Sequence, residues 1–324
     1  MLTLDEIKKP IHDNLLDFEK KFKASMKSPV PLLETVTSYI YRRKGKQMRP
    51  MFVFLSAKVC GEVNESTYRA ASLIELLHTA SLIHDDVVDE SYERRGFFSI
   101  NALWKSKIAV LVGDYILSKG VLLSVERKEY QLLEIVSEAV REMSEGELLQ
   151  IQKVRRLDIT MDEYFEIIRK KTAALIAACT ACGAKSAGAN DEQVKTMKEF
   201  GELTGIAFQI KDDLLDYTKS GLTGKPSSND IKEKKMTLPL IFALNKCPFS
   251  EKRKVISLIK HHNRNSDKVE VVIEFVKKYG GLDFAENKMY EYKNLAISKL
   301  DNFPDTDFKK SLIDLVEFTT QRKK

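Results

Sequence analysis

Apolar residues recur at helical spacing along most of the chain, which indicates amphipathic or fully buried helices. No run keeps the alternation of apolar and polar residues that is typical of a half-buried strand. The segments with apolar residues at positions i, i+3, i+4 and i+7 are 32–42, 49–59, 66–91, 108–127, 131–154, 161–184, 191–217, 238–245 and 268–300. This pattern predicts an all-α bundle of roughly ten or more helices.

Two predicted helices begin behind capping residues, and one segment breaks the helical pattern. The runs Asn64-Glu65-Ser66 and Asp158-Ile159-Thr160 offer capping residues just ahead of apolar-periodic segments, where a side chain can accept from the first backbone amides. Residues 218–237 instead mix glycine, proline, serine and asparagine with five lysines. Such a segment is often an ordinary surface loop, but one that follows an acidic motif is a candidate active-site lid.

The composition agrees with a helical protein of one domain. Of 324 residues, 43% are hydrophobic, and only 14 are glycine and 8 are proline, the residues that punctuate strands and turns. No linker rich in proline, glycine or serine divides the chain. We therefore predict a single domain over residues 1–324.

The charge balance argues against nucleic acid as a partner. The formal net charge is +6 and the isoelectric point is about 8.9, but lysine and arginine are interspersed with acidic residues. Without a basic arm or stripe, most of this charge is that of a solvated surface. A local basic cluster can still bind an anionic small molecule.

The four cysteines, Cys60, Cys179, Cys182 and Cys247, are too few and too scattered for a disulfide framework. This usage predicts a cytoplasmic protein. Cys179 and Cys182 match the CxxC spacing of redox motifs, but they lie in an alanine-rich run without a βαβ context. We interpret them as small buried helix residues.

The sequence favours neither a signal peptide nor a membrane-spanning segment. Residues 1–10 carry several charges and lack the apolar core of a signal peptide. The longest apolar stretch, 108–123, is interrupted by Gly113, Asp114, Ser118 and Lys119. The pattern predicts a segment too short and too polar to cross a bilayer, and therefore no integral membrane protein.

Two nearly identical acidic hexads, 84–89 and 211–216, lie within apolar helical segments. Residues four apart share a helix face, so Asp85 pairs with Asp89 and Asp212 pairs with Asp216. Either hexad alone is typical of a solvated helix face. If the two helices face each other, however, up to six carboxylates converge and need cations to remain ionised. Oxygen ligands of this kind favour Mg²⁺, which is usually shared with substrate phosphates.

Basic and polar residues accompany the two hexads. Arg94 and Arg95 follow the first hexad, and Lys46 and Arg49 lie further upstream. Each basic cluster alone is compatible with ordinary surface charge, but together they can hold a second anion apart from the metal. Further polar residues in apolar or loop contexts are Lys171, Thr172, Gln209 and Lys235.

Taken together, these motifs resemble the all-trans polyprenyl diphosphate synthases of the isoprenyl diphosphate synthase family. The match runs from about residue 40 to 245 and leaves C-terminal helices at 246–324. The motifs, in the family's order, are Gly45-Lys46-x-x-Arg49-Pro50, the aspartates at 85–89, Arg94-Arg95-Gly96, Lys171-Thr172, the run 205–209, the aspartates at 212–216, Gly224-Lys225-Pro226 and the run 235–239. The resemblance implies one large helical bundle of the isoprenoid synthase type, with the active-site cavity between central helices.

The resemblance also implies a role for each matching residue. Direct Mg²⁺ ligands would be Asp85, Asp89 and Asp212, supported through water or hydrogen bonds by Asp86, Asp213 and Asp216. The allylic diphosphate would be held by Arg94, Lys171, Lys225 and Lys235, and isopentenyl diphosphate by Lys46, Arg49, His78 and Arg95. Thr172 and Gln209 would lie beside the reacting carbons. Without the resemblance, His78 would be interpreted as a satisfied core histidine.

The implied reaction is a Mg²⁺-dependent head-to-tail (1′-4) condensation with three ions per active site. The allylic diphosphate, which is dimethylallyl, geranyl, farnesyl or geranylgeranyl diphosphate, leaves behind a delocalised carbocation. The double bond of isopentenyl diphosphate attacks that cation, and the proton then lost passes to the departing diphosphate. Water is kept away from the cation. The resemblance further implies a homodimer.

The chain departs from the family pattern in the candidate lid. The family commonly has glycine after Gly-Lys-Pro and again before the second lysine, where this chain has Ser228 and Lys234. Lys235 and the following Thr-Leu-Pro are retained. The departure bears on the backbone path of the lid more than on its charge.

The helix that leads into the first hexad predicts the product length. One helical turn rises about 5.4 Å, close to one isoprene unit, so residues at successive turns before Asp85 can act as rulers. Family members with short products have bulky aromatics where this chain has Ala80 and Ser81. Deeper candidates are Leu77, Leu76 and Leu73, with a floor from residues 108–124. We expect a product longer than farnesyl diphosphate (C15), of medium or long chain.

Four alternatives remain to be weighed against a long-chain synthase. A geranylgeranyl diphosphate synthase differs only in product length. A terpene cyclase would have an Asn/Asp, Ser/Thr, Glu pattern at its second metal site, where this chain repeats the aspartates. A non-catalytic subunit of a heteromeric prenyltransferase would lack one acidic motif or the basic residues. A divalent-cation buffer would not need Arg94, Arg95 or the basic loop.

Overall fold

The computed structural model describes residues 3–42, 45–94, 96–154, 156–218 and 228–322. Its helices are α1 (Leu4–Lys8), α2 (His12–Ser25), α3 (Pro31–Tyr41), α4 (Met48–Cys60), α5 (Glu65–Val88), α6 (Ile100–Glu126), α7 (Tyr130–Val154), α8 (Met161–Ile168), α9 (Ala174–Ser186), α10 (Asp191–Asp216), α11 (Asn229–Lys232), α12 (Leu238–Lys246), α13 (Phe249–His262), α14 (Ser266–Lys278), α15 (Gly281–Ser298) and α16 (Asp307–Gln321). A 3₁₀ turn (Lys9–Ile11) follows α1, and a π turn (Arg169–Ala173) joins α8 to α9. The strands β1 (Glu93–Arg94) and β2 (Phe97–Phe98) form a short antiparallel hairpin. The predicted all-α fold is confirmed.

The predicted helix starts at Asn64 and Thr160 are also confirmed. The Asn64 side chain accepts from the amide of Ser66 at 2.8 Å. The Thr160 hydroxyl accepts from the amide of Glu163 at 3.3 Å, and the Glu163 carboxylate accepts in return from the Thr160 amide at 2.8 Å. These reciprocal bonds satisfy backbone donors that have no partner within the helix.

The structure divides two segments that the periodicity treated as continuous. Residues 268–300 form parts of α14 and α15, which are separated at Gly280, whose φ of 69° is left-handed and interrupts the helix. Residues 161–184 form α8, the π turn and α9. Periodicity alone also missed α1, α2, α13 and α16. The polar faces of these surface helices weakened the apolar signal.

Helix α6 is longer than predicted. It begins at Ile100 rather than 108 and includes a non-helical kink at Lys105. Among the described residues it is the helix long and apolar enough to cross a membrane, with 33% of its most apolar window buried. The expectation that this stretch is too short and too polar to cross is therefore wrong by length and composition. One side of α6 nevertheless packs against α5, where Gly113 and Gly120 permit close contact.

Small residues bring the central helices together around the site. A Cβ atom built on Gly205 of α10 would lie 2.4 Å from the Cα atom of Ala173, and one on Gly201 would lie 2.3 Å from the Thr180 hydroxyl. Because both positions lack a Cβ atom, α10 can approach the π turn and α9 closely. The C-terminal helices pack on the same core, with α15 along α10 and α16 along α4.

Candidate active site

The π turn at the start of α9 places Lys171 and Thr172 opposite α10. A π turn widens the helix by one residue and changes the direction of its side chains, and such turns are frequent at functional sites. The Thr172 hydroxyl donates to Gln209 Oε1 across 2.8 Å. Two residues that the sequence analysis proposed from separate motifs are therefore in direct contact.

The hydrogen-bond chain continues from Gln209 into the second acidic hexad. Gln209 Nε2 donates to Asp213 Oδ1 at 2.9 Å, and the Tyr164 hydroxyl donates to Asp213 Oδ2 at 2.6 Å. Sequence reasoning missed Tyr164. It lies two helical turns before Lys171, but its apolar surroundings are those of an ordinary core tyrosine.

Two of the proposed lysines are held by acidic or amide partners. Lys171 pairs with Glu147 of α7, and its Nζ lies 3.4 Å from Gln150 Oε1. Lys235 Nζ lies 2.5 Å from Glu233 Oε2. Burial alone would lower the pKa of Lys235, but the neighbouring carboxylates, Glu233 foremost, raise it. Lys235 therefore carries positive charge at neutral pH.

A second group of carboxylates lies where the candidate lid returns to the protein. Asp216 accepts from the amides of Asn229 and Asp230, at 2.9 and 3.0 Å, and so caps the short helix α11. Asp230 was missed by sequence reasoning, although an acidic residue within a lysine-rich loop was an available signal. Burial and then the charge of Asp216 raise the pKa of Asp230 to about 7. Burial and then Asp230 raise the pKa of Asp213 to about 8.

One cavity of about 130 Å³ unites most of these residues. The polar side chains that line it include Lys171, Thr172, Gln209, Asp213, Asp230 and Lys235. Apolar residues of α8, including Ile167 and Ile168, line it as well. The cavity therefore combines cations, carboxylates and neutral dipoles with an apolar wall, as expected of a site for an amphipathic anion.

Asp212 faces away from this hydrogen-bond chain and pairs with the C-terminal Arg322. The guanidinium of Arg322 also lies over the Phe208 ring, 4.3 Å from its centroid. Burial raises the pKa of Asp212, whereas Arg322 opposes that increase. In this structure the guanidinium of Arg322 thus neutralises Asp212, one of the three carboxylates that were predicted to bind metal.

The first hexad ends α5, as the sequence analysis expected. Asp85 and Asp86 lie in its last turn, and the amide of Asp89 donates to the carbonyl of Asp85 at 2.8 Å. Asp86 is only 5% exposed, whereas Asp89 is exposed. Within the described residues, no three Asp, Glu, His or Cys side chains are close enough to form a ready-made metal site.

The residues proposed for isopentenyl diphosphate lie along α4 and α5. Arg49 forms an ion pair with Glu75 at 3.1 Å. Lys46 lies over the Phe318 ring of α16, 5.8 Å from its centroid. His78 lies on α5, and its carbonyl accepts from the Ser81 hydroxyl at 2.9 Å. Arg95, Lys225 and the side chain of Arg94 lie outside the described part of the structure.

Of the proposed chain-length residues on α5, Ser81 is half-buried, and the other four, Ala80, Leu77, Leu76 and Leu73, are buried. Ala80 and Leu76 pack with apolar residues of α6, whereas Leu73 and Leu77 belong to the main core. A Cβ atom on Gly120 of α6 would lie 3.4 Å from Leu73 and 3.6 Å from Leu76 and Leu77. Helix α6 thus lies directly against the predicted rulers.

Known proteins resemble this chain over its full length. A family model described as polyprenyl synthetase matches residues 30–276. The octaprenyl diphosphate synthase of Escherichia coli (strain K12) is 34% identical over 322 residues, which cover 99% of each chain.

Solved structures show the same extent of likeness. A decaprenyl diphosphate synthase from Rhodobacter capsulatus superposes with a TM-score of 0.93 at 32% identity, covering 99% of this chain and 100% of that one. A polyprenyl synthase from Caulobacter crescentus CB15, complexed with calcium and isoprenyl diphosphate, gives 0.90 at 30% identity and covers 99% of this chain and 98% of that one. Sequence and fold therefore agree beyond residue 245, where the recognisable motifs end.

Proposed function

This chain belongs to the polyprenyl synthetase family, and from that premise we propose that it joins isopentenyl diphosphate head-to-tail (1′-4) to an allylic diphosphate. It is a prenyltransferase of the trans-polyprenyl diphosphate synthase kind. The observation that carries the proposal is full-length similarity to an octaprenyl diphosphate synthase. The cavity supports it, because Lys171, Thr172, Gln209 and Lys235 line one space.

The carboxylates present fit divalent cations. Asp212 is paired with a guanidinium in this structure, and the pKa values of Asp213 and Asp230 are raised chiefly by burial, so all three would gain from a nearby cation. We propose Mg²⁺, three ions per active site, with Asp85, Asp89 and Asp212 as ligands and Asp86, Asp213 and Asp216 in support. The calcium complex of the Caulobacter crescentus relative agrees with oxygen ligation of a divalent cation.

The basic residues divide between two anions in this proposal. Lys171 and Lys235 face the cavity and hold the allylic diphosphate, together with Arg94 and Lys225. Isopentenyl diphosphate lies towards α4, where Lys46, Arg49, His78 and Arg95 hold it. Arg49 is paired with Glu75 in this structure, so it must exchange one carboxylate for a phosphate.

The protein's contribution to the reaction is electrostatic. Lys171 and Lys235 stabilise the negative charge that grows on the diphosphate as the allylic bond breaks. Bound Mg²⁺ would supply further Lewis-acid stabilisation of the same leaving group. Thr172 and Gln209 present oxygen dipoles to the allylic cation without forming a covalent bond. The apolar wall from α8 limits the access of water, and the departing diphosphate takes the proton that is lost.

The product proposed is an all-trans polyprenyl diphosphate longer than C15. Ala80 and Ser81 are small, and deeper control falls to Leu77, Leu76 and Leu73 beside Gly120 of α6. The primers are dimethylallyl, geranyl, farnesyl or geranylgeranyl diphosphate. The octaprenyl product named for the Escherichia coli relative supports a medium or long chain.

We propose that α6 mediates homodimerisation. Its exposed apolar residues recur at helical spacing on one face, interrupted by Asp114 and Ser118, and are Val110, Leu111, Leu117, Val121, Leu122 and Val125. An apolar stripe of this length on a helix usually marks a contact surface. A second copy of the chain presents the same stripe and can pair with it across a two-fold axis. With four free cysteines, the dimer is proposed to be cytoplasmic.

A product-sizing assay tests the proposed function. Purified protein is incubated with Mg²⁺, labelled isopentenyl diphosphate and allylic primers of increasing length, and the dephosphorylated products are sized. The expected result is incorporation that depends on Mg²⁺ and gives products longer than C15. A variant with Asp212→Ala is the inactive control. No incorporation with any primer would overturn the proposal.

The same assay distinguishes this proposal from two of the alternatives, a geranylgeranyl diphosphate synthase and a non-catalytic subunit. Products that stop at C20 would favour a geranylgeranyl diphosphate synthase. Incorporation that begins only when a partner subunit is added would favour a non-catalytic subunit. Both aspartate motifs are present in this chain, which supports independent activity.

A further inference from the structure

The hydrogen-bond chain that begins at Thr172 ends on Tyr164, to which the proposed function gives no role. Tyr164 is 4% exposed, and its hydroxyl donates to Asp213 Oδ2 at 2.6 Å. Gln209 donates to the other carboxylate oxygen at 2.9 Å, and Thr172 donates to the Gln209 carbonyl at 2.8 Å. Every donor in the chain therefore points towards Asp213.

This direction fixes the orientation of the Gln209 amide. Asp213 accepts through both of its oxygens, one from Gln209 Nε2 and one from the Tyr164 hydroxyl, so Gln209 presents its NH₂ group to Asp213 and its carbonyl oxygen to Thr172. The reversed amide would place two oxygens together and leave the Thr172 hydroxyl facing a donor. In the observed arrangement the Thr172 proton is used by Gln209, and the oxygen lone pairs of Thr172 remain available to the cavity.

Tyr164 is well placed to hold Asp213 still. Its ring packs edge-on against Phe165, with 5.4 Å between centroids. The first turn of α8 is fixed by the reciprocal bonds of Thr160 and Glu163, and Glu163 is also paired with Lys153 of α7. Asp213 is 3% exposed, so the hydroxyl supplies a donor that water cannot easily replace.

We propose that Tyr164 is a positioning residue that, through Asp213, sets the polarity of Gln209 and Thr172 towards the reacting carbons. The inference rests on the proposed function, in which these two side chains face an allylic cation. Oxygen dipoles stabilise that cation, whereas amide or hydroxyl hydrogens in the same place would oppose it. A preorganised chain of fixed direction avoids reorganisation during the reaction.

The Tyr164→Phe variant tests this role, because it removes one oxygen and keeps the packed ring. We expect kcat to fall about tenfold, the effect of losing one hydrogen bond to a charged group, with the KM of both diphosphates unchanged within about twofold. Tyr217→Phe is the matched control. Tyr217 is also buried, but its hydroxyl bonds Thr237 at 3.0 Å, and its loss is expected to leave kcat within about twofold.

A double-mutant cycle shows whether Tyr164 acts through Gln209. With Gln209→Met already present, Tyr164→Phe is expected to lower kcat by less than about twofold, because the amide that it positions is gone. A full tenfold loss in that background, or no loss in the wild-type background, overturns the inference.

Two further comparisons keep this test interpretable. Melting curves of each variant distinguish loss of the fold from loss of kcat. If Tyr164→Phe does not fold, Tyr164→Met provides a second variant that lacks the hydroxyl donor to Asp213. Failure of the wild-type protein to form polyprenyl products contradicts the proposed function instead. An active wild type with an equally active Tyr164→Phe contradicts only the role of Tyr164.

Discussion

At the scale of single residues, backbone geometry explains where this chain departs from its family. Ser228 and Lys234 have φ angles of 51° and 60°, in the left-handed region that favours glycine. These are the two positions where the family commonly has glycine. Both L-residues therefore adopt a left-handed backbone, which carries strain that glycine would not.

Replacing Lys234 with glycine is expected to stabilise the protein by about 0.5–1 kcal/mol, because relief of the left-handed strain exceeds the entropy cost of glycine. The measurement is equilibrium unfolding in urea. Lys232→Gly is the matched control, since Lys232 lies within the helical turn of α11. That change is expected to destabilise the protein by a similar amount. Equal destabilisation by both substitutions would contradict the strain argument.

The buried carboxylates predict a pH dependence of stability in the metal-free protein. Asp213 and Asp230 have folded pKa values of about 8 and about 7, raised chiefly by burial above an unfolded value near 3.8. Between these limits the folded state holds protons that the unfolded state has lost. The free energy of unfolding therefore falls as the pH rises from about 4 towards 8.

Urea unfolding of the metal-free wild type and of Asp230→Asn, compared at about pH 6 and about pH 8, measures this effect. The decline between the two pH values is expected to be smaller in the variant, since one of the two titrating carboxyls is absent. Adding Mg²⁺ with inorganic diphosphate is expected to reduce the decline in the wild type. An identical decline in both proteins would show that Asp230 does not titrate in this range.

At the scale of elements, the relation between α5 and α6 governs product length in our proposal. Ala80 is 2% exposed and packs against α6, and Gly120 of α6 lies beside the deeper rulers. The first hexad then ends α5, so this one helix carries both the proposed metal ligands at its end and the proposed chain-length residues in its buried part. Helix α6 would serve twice, as the tunnel floor on its buried side and as the dimer contact on its exposed side.

Installing phenylalanine at Ala80 is expected to shorten the main product, because the ring would fill the first turn below Asp85. The substitution is expected to cost about 1–3 kcal/mol of stability through overpacking. Ala80→Val is the matched control, since it adds only two methyl groups and is expected to change the distribution less. Ser81→Phe tests the adjacent position. Unchanged product lengths in both phenylalanine variants would contradict the ruler.

At the scale of the whole molecule, a residue from the C-terminal end of the fold reaches Asp212, a proposed metal ligand. Arg322 and Asp212 are 110 residues apart in sequence, yet their side chains are paired. Phe318, one turn earlier on α16, lies beneath Lys46. The C-terminal helix thus contacts residues proposed to bind metal and isopentenyl diphosphate.

Replacing Arg322 with glutamine is expected to tighten binding of Mn²⁺, used as a probe for Mg²⁺, by about two- to fivefold in the absence of substrate. The metal would no longer compete with a guanidinium for Asp212, and a partly exposed ion pair of this kind contributes modestly. Binding is measured by calorimetry. Arg253→Gln is the matched control, because Arg253 lies over the Phe249 ring, 5.9 Å from its centroid, on the surface helix α13. Unchanged Mn²⁺ affinity in Arg322→Gln would contradict this competition.

The sequence by itself determined the fold class, the family and most of the candidate site. Helical periodicity depends only on neighbours along the chain, and so do the caps at Asn64 and Thr160. Lys171, Thr172, Gln209 and the second acidic hexad were found because their motifs are local. The separate motifs also predicted the chemistry, since carboxylates and basic residues together are typical of a site for a metal and a diphosphate.

Only the tertiary structure decided how these residues act on one another. Tyr164 and Arg322 carry no local signal that distinguishes them from core or terminal residues, and the acidic character of Asp230 in a lysine-rich loop does not reveal its contacts. Their roles arise from contacts between distant segments and from burial, which depends on the packing of the whole chain. For the same reason the structure, and not the sequence, separated the six hexad aspartates into a helix cap, a hydrogen-bond acceptor, an ion-pair partner and the end of α5.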